Sequence, residues 1–340
     1  MALPPKHGNA ILLAVILFLG AILAEAGDAK VLGVGSIGMT VSDLDRSVEF
    51  FSRVLDFKKV SEAEFHKESF DALTGIFGAR VRVATMKLGD ETIELTEYLT
   101  PPGRPIPVDS RSNDRWFQHI AIVVRDMDAA YARLRQFKVR PISTEPQRIP
   151  DWNKAAAGIR AFTFRDPDNH ALELICFPPG KGNPRWQQKT GELFLGIDHT
   201  AIAIDDTESS LVFYRDVLGM KVVGKSVNHG IEQEYVTLVP RSSVQITGLR
   251  APGGPGIELM EYLWPRDGRP YPEDAVPNDL LYWQVTLRID DPEDLYGRLL
   301  SNKARFISPS FVEVESPGLS GKKALLVRDP DGHAILLSEP

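Results

Sequence analysis

The chain has 340 residues, 43% of them hydrophobic and 25% charged, the composition of a globular protein that can bury a sizeable core. Its formal net charge of −7 is moderate, its basic residues are dispersed and no block of like charges occurs, so nothing recommends nucleic acid or an anionic membrane surface as a partner, and solubility is sufficient to explain the charge. Cys176 is the only cysteine, so no intrachain disulfide can form; it lies in the apolar run 172–177 without a cationic neighbour and reads as a packed thiol.

Lys6 and His7 precede an apolar run over 10–24 that closes on Ala24-Glu25-Ala26, the pattern of a secretory signal peptide with an A-x-A cleavage site. The run is shorter than the roughly 20 residues a bilayer span requires. The expectation is a leader over 1–26, cleaved on export to the periplasm or beyond, with an uncleaved anchor as the alternative.

Downstream, apolar residues at spacings of three and four, such as Val48, Phe51 and Leu55, predict a helix over 44–55 with Asp43 at its N-cap. Alternation predicts a strand over 79–87, and β-branched residues another over 118–124. A helix follows over 127–137 behind Asp126, then a strand over 158–164, a turn at 166–169 and an apolar strand. The Pro/Gly-rich stretch 178–184 opens a linker over 179–194. Beyond it the order returns: a strand over 196–204, a helix over 207–218 behind Asp206, a strand over 234–239, a Gly-rich loop over 251–256, a helix over 292–300 behind Asp291, and a turn at 329–332 before the last strand.

This return is an internal repeat. Residues 43–60, DLDRSVEFFSRVLDFKKV, align with 206–223, DTESSLVFYRDVLGMKVV, at an offset of 163, which also carries Arg165-Asp166-Pro167-Asp168 onto Arg328-Asp329-Pro330-Asp331. Residues 93–99 match 257–263 at 164, one insertion apart. A weaker repeat inside each half gives four βαβββ units, at 31–107 and 113–178 in a first domain and at 195–272 and 278–340 in a second.

Ile197-Asp198-His199-Thr200, the helix ending Phe213-Tyr214-Arg215-Asp216-Val217-Leu218-Gly219-Met220, and Asp166-Pro167-Asp168 leading into Leu172-Glu173-Leu174 resemble the vicinal oxygen chelate superfamily over essentially all of 31–340. That superfamily includes glyoxalase I, extradiol dioxygenases, methylmalonyl-CoA epimerase and the fosfomycin and bleomycin resistance proteins. The resemblance implies an α+β fold in which paired units make two half-open mixed β-barrels. It also implies one divalent cation (Ni, Zn, Co, Mn or Fe), held by a first-strand and a last-strand residue from each of two units. Carried over residue by residue, the positions are Ser36 and Glu94, His119 and Glu173, His199 and Glu258, and Gln284 and Leu336. Pairing of sequence neighbours would leave both sites damaged. Pairing the second unit with the third, as in single-chain tandem glyoxalases, collects His119, Glu173, His199 and Glu258 in one site and puts all the losses in the other.

Of the remaining histidines, His170 and His333 follow Asp-Pro-Asp turns and are expected in solvent, as are His66 and His229 in connecting segments. Glu97 and Glu261 fall on the opposite strand face from Glu94 and Glu258 and are expected to be solvated. Arg104-Pro105 and Arg269-Pro270 recur in matching Gly/Pro loops and read as turns rather than anion clamps. The resemblance implies a glyoxalase I-like lyase or isomerase acting on a small vicinal-oxygen compound, with Glu173 and then Glu258 as general base. The alternatives are an Fe(II) extradiol-type dioxygenase and a non-catalytic binding or resistance protein. Either a monomer or a homodimer is compatible with the sequence.

Overall fold

The computed structural model describes residues 31–188, 190–315, 319 and 321–340. The expected leader lies outside them, and no helix among the described residues is long and apolar enough to cross a membrane. The four units begin with strands Val31–Val41, Gln118–Val124, Phe194–Ile204 and Trp283–Ile289, each followed by an amphipathic helix. Those helices are Leu44–Leu55, Met127–Gln136, Thr207–Leu211 running on as a π-helical segment Val212–Val217, and Pro292–Ser301. Each starts on the expected aspartate: Asp43, Asp126, Asp206 and Asp291 accept from backbone N–H groups of the first turn, which have no partner within the helix.

Two mixed sheets of nine strands result, and neither closes. One joins the first unit to the fourth, with Val31–Val41 antiparallel to Trp283–Ile289; the other joins the second to the third, with Gln118–Val124 antiparallel to Phe194–Ile204. The helices pack differently. Phe51 and Leu55 of the first share a core with Met127 and Leu134 of the second, while Leu211 and Tyr214 of the third share one with Leu295 and Leu299 of the fourth. Cores therefore follow the sequence halves, sheets cross between them, and neither can form fully without the other.

The recurrent Gly-Arg-Pro loops clasp these crossed pairs. Arg104 donates to Asp279 Oδ1 from its backbone N (2.8 Å) and Nε (3.0 Å), and to Oδ2 from Nη2 (2.6 Å); Arg269 does the same to Asp114, at 3.0, 3.0 and 2.7 Å. Both carboxylates are fully buried. The approach is so close that a Cβ on Gly103 would fall 1.7 Å from the Asn278 carbonyl, and one on Gly268 1.8 Å from that of Asn113. The turns are thus anion clamps whose anion belongs to the chain itself.

Several expectations are corrected. Residues 234–239 are not a strand: the chain forms a helix, Ile231–Thr237, whose counterpart in the first unit is Glu68–Thr74. The β-branched run there is misleading, because Val236 and Val239, three apart, are both buried. His170 and His333 are buried, not solvated, with Nδ1 2.8 Å from Asp166 and 3.1 Å from Asp329 of their own turns. Glu261 is also buried and accepts from the N–H and hydroxyl of Thr207.

Burial pushes the Asp114 and Asp279 carboxyls up, but the bonds from Arg269 and Arg104 outweigh it and hold both below the usual range. A depressed folded pKa gives stability that is present above the unfolded value of about 4 and is lost as pH falls through the folded one. Asp114→Ala should therefore cost about 2 kcal/mol in urea unfolding at pH 7, and the gap to wild type should narrow below about pH 4. Arg53→Ala, which removes an exposed pair with Glu49, should leave the midpoint unchanged.

Candidate metal centre

Side chains alternate between the faces of a strand, so residues paired across strands, or two apart along one, share a face. In the sheet of the second and third units one row runs Glu258, Ala201, His119, Ala171, and the next runs Gly256, His199, Ala121, Glu173. The two imidazoles and two carboxylates therefore share one face, related by an approximate two-fold through the Ile120/Thr200 pair. The residues between them are small, and Ala121 and Ala201 leave open the space above the strands. Thr200 Oγ1 donates to the His119 carbonyl and accepts from Gln118 Nε2, both at 2.9 Å, which fixes the two strands to each other.

The side chains close over that floor. His119 Nε2 lies 3.6 Å from Glu173 Oε2, His199 Nε2 lies 3.3 Å from Glu258 Oε2, and the two imidazole centroids are 5.9 Å apart. Ligand atoms of His119, Glu173 and His199 all fall within 4.8 Å of one another, the one such His/Cys/Asp/Glu cluster found among the described residues. All four residues line a cavity of about 150 Å³.

The imidazoles are held differently. Between Ile197 and His199 the pairing shifts register, so Asp198 is an extra, bulged residue. The bulge brings its carboxylate beside the next side chain, with Oδ2 3.0 Å from His199 Nδ1. Trp186 Nε1 (2.9 Å) and Arg250 Nη2 (2.9 Å) also donate to it. These contacts turn the Nδ1 edge of the ring to Asp198 and leave Nε2 facing Glu258. Although burial opposes it, Glu258, Asp198 and Glu173 raise the His199 pKa to about 9. His119 has no such brace: both ring nitrogens are buried without a hydrogen-bond partner among the described residues, and burial with the charge of His199 lowers its pKa to about 3. Burial, opposed by His199 and assisted by Glu258, raises Glu173 to about 7.

An unprotonated imidazole with orphaned nitrogens, a second oriented by a carboxylate, and two carboxylates at contact distance form a donor set that fits a divalent first-row cation. In the other sheet the corresponding rows read Glu94, Gly38, Gln284, Ala334 and Thr92, Ser36 beside Thr286 and Leu336. There Ser36 Oγ is 3.2 Å from Thr286 Oγ1, and Tyr282 donates to Gln284 Oε1 at 3.3 Å. Burial raises the Glu94 pKa against the bond from Ser36, and no second carboxylate or imidazole stands at these positions.

Asp198 lies within the Ile197-Asp198-His199-Thr200 motif, but residue type and spacing alone do not mark it as a brace for His199. The linker holds more than a tether: Trp186 packs under Asp198, and Arg185 stacks on Trp186 at 3.8 Å while pairing with Glu91, which accepts from the Ile197 N–H at 3.0 Å.

The sequence profile described as the Glyoxalase/Bleomycin resistance protein/Dioxygenase superfamily matches residues 33–174 and 196–337. A 2-epi-5-epi-valiolone epimerase from an Actinomyces species is 35% identical over 159 residues, 44% of this chain and 81% of that protein. A lactoylglutathione lyase of Arabidopsis thaliana is 25% identical over 306 residues, 87% and 88% of the two chains. Among solved structures, glyoxalase I from Zea mays superposes with a TM-score of 0.55 at 18% identity, covering 92% of each chain, a likeness of fold.

Asp198→Ala should lower Co²⁺ or Zn²⁺ affinity by about 10- to 100-fold, measured by competition with a chromophoric chelator, with the far-ultraviolet circular dichroism unchanged.

Proposed function

The chain belongs to the Glyoxalase/Bleomycin resistance protein/Dioxygenase superfamily, and from that premise we propose that it is a divalent-metal-dependent lyase or isomerase of the glyoxalase I type. The observation that carries the reading is the convergence of His119, Glu173, His199 and Glu258 on one sheet face, with both His119 ring nitrogens lacking a hydrogen-bond partner among the described residues. Relatives named as a lyase and an epimerase support it.

Bound there, the cation would supply Lewis acidity to a small vicinal-oxygen substrate. The residues of the chain do the rest. His119 and His199 hold the site from adjacent antiparallel strands, and Asp198 keeps the His199 Nδ1–H engaged. Glu173, 9% exposed, is the general base that removes a carbon-bound proton beside the polarised carbonyl and can return it to the neighbouring carbon. Glu258, more open to solvent, is the second candidate. A dioxygenase of the extradiol type uses two histidines and one carboxylate with open positions; the Glu258 carboxylate against His199 disfavours that reading. A purely binding role would not need the buried, unpartnered imidazole. Each sheet is completed within one chain, which supports a monomer, and the leader-like segment supports action outside the cytoplasm.

Metal analysis should find close to one divalent ion per chain in wild type and in Ser36→Ala, and loss of it in His119→Ala and His199→Ala. Retention in both histidine variants would sink the proposal. Glu173→Gln should slow deuterium exchange at the carbon next to the carbonyl of an α-hydroxy ketone by at least about 100-fold.

A further inference from the structure

We infer that the cavity above the four donors selects an uncharged, ring-sized substrate, which Gln233 and Thr163 hold through neutral hydrogen bonds. The inference rests on the metal site proposed above and adds the chemistry of what binds there.

The first observation is a missing charge. Among the described residues lining this cavity there is no lysine or arginine; the charged ones are Glu173, Glu258, Asp198 and the histidines. Arg250, whose guanidinium reaches Asp198 on the cavity wall, is already used. Its Nη1 donates to the Asp198 carbonyl at 2.8 Å and its Nη2 to the Asp198 carboxylate at 2.9 Å. A divalent ion held there would balance Glu173 and Glu258, and Arg250 balances Asp198. An anionic group on the substrate, distant from the ion, would be taken out of water with nothing to neutralise it, and that desolvation is expensive.

The second observation is the shape and character of the walls. Phe117, Ile149, Ile159, Ile175, Val236 and Met260 surround the donors. The cavity of about 150 Å³ matches the volume at which an engineered apolar cavity takes up benzene.

The third observation is a set of polar side chains on the wall without a hydrogen-bond partner among the described residues: the buried Tyr262 hydroxyl, Gln233 and Thr163. Gln233, on the helix that replaces the expected strand, is 6% exposed and lines the cavity, and its amide makes no hydrogen bond among the described residues. Thr163 is 3% exposed, is the cross-strand partner of Glu173, and has an equally unengaged hydroxyl. Asn228 on the same wall is different, because it accepts from Asn153 Nδ2 at 2.6 Å. Polar groups this enclosed normally find partners. An amide and a hydroxyl, each able to donate and accept, match a carbonyl or hydroxyl rather than a carboxylate.

Calorimetric titration of the zinc-loaded full chain with 2-hydroxyacetophenone and with its 4-carboxylate tests this, since both present the same vicinal oxygens and only the second carries a charge at the far end. The uncharged compound should bind at least tenfold more tightly. Gln233→Ala should weaken it at least fivefold while leaving zinc content and the urea midpoint unchanged, and Thr163→Val should weaken it in the same direction. Equal or tighter binding of the carboxylate, no binding of either compound to zinc-loaded protein, or unchanged affinity in Gln233→Ala with its zinc intact would overturn the inference while leaving the metal site standing. A wild-type chain that takes up no zinc would remove both.

Discussion

Everything at the candidate metal centre depends on one antiparallel pairing, that of Gln118–Val124 with Phe194–Ile204. Its register sets Ala201 against His119 and Ala121 against His199, and the parallel strands outside carry Glu258 and Glu173 into the same two rows. A slip of one residue in either strand would send that strand's imidazole to the opposite face, because the side-chain period is two. The pairing is correspondingly over-determined. Thr200 ties the strands at their centre, and the Arg269 clasp on Asp114 fixes the loop leading into the second unit against the third.

That pairing also accounts for the difference between the sheets. A cation site works as a set: with one donor gone, the others become buried polar groups that cost free energy without return. Crossed pairing makes the inner units one set and the outer units another, so losses gathered in the outer set leave the inner one whole. In the outer sheet the positions have been turned to other uses. Leu336 belongs to an apolar cluster with Tyr282 and Leu326, while Ser36 and Thr286 lie within hydrogen-bonding distance of each other.

What was legible in the sequence was what local periodicity and repeat position encode. The four helices, their aspartate caps and the eight equivalent positions are of this kind, since each depends on residue type at a fixed offset. The segment Ile231–Thr237 was misread because Tyr235, Val236 and Thr237 have strand-like side chains, while the burial that decides the issue comes from packing with the second unit: Tyr235 and Val236 carbonyls accept from Thr144 N and Ser143 Oγ. His170 and His333 were placed in solvent because Asp-Pro-Asp turns usually are. Here Asp168 accepts from Ser42 and Asp331 from the Asp205 N–H, so both turns are tucked between the sheets and enclose the histidines. A bulge such as that at Asp198 exists only as a mismatch between two paired strands, and no single-strand pattern announces it.

The bulge also breaks the symmetry of an otherwise two-fold arrangement. At the position equivalent to Asp198 the second unit has Gln118, whose amide is spent on Thr200, so His119 is positioned by packing alone, edge-on to Phe117 at 5.7 Å. His199 by contrast sits on a braced carboxylate that reaches through Trp186 and Arg185 to Glu91 of the first unit. One side of the site is therefore anchored through polar contacts into the neighbouring sheet, while the other is apolar and free of competing bonds. Firm orientation on one side and an unencumbered donor on the other give two equivalent repeat positions different roles, and the difference between Asp198 and Gln118 is sufficient to produce it.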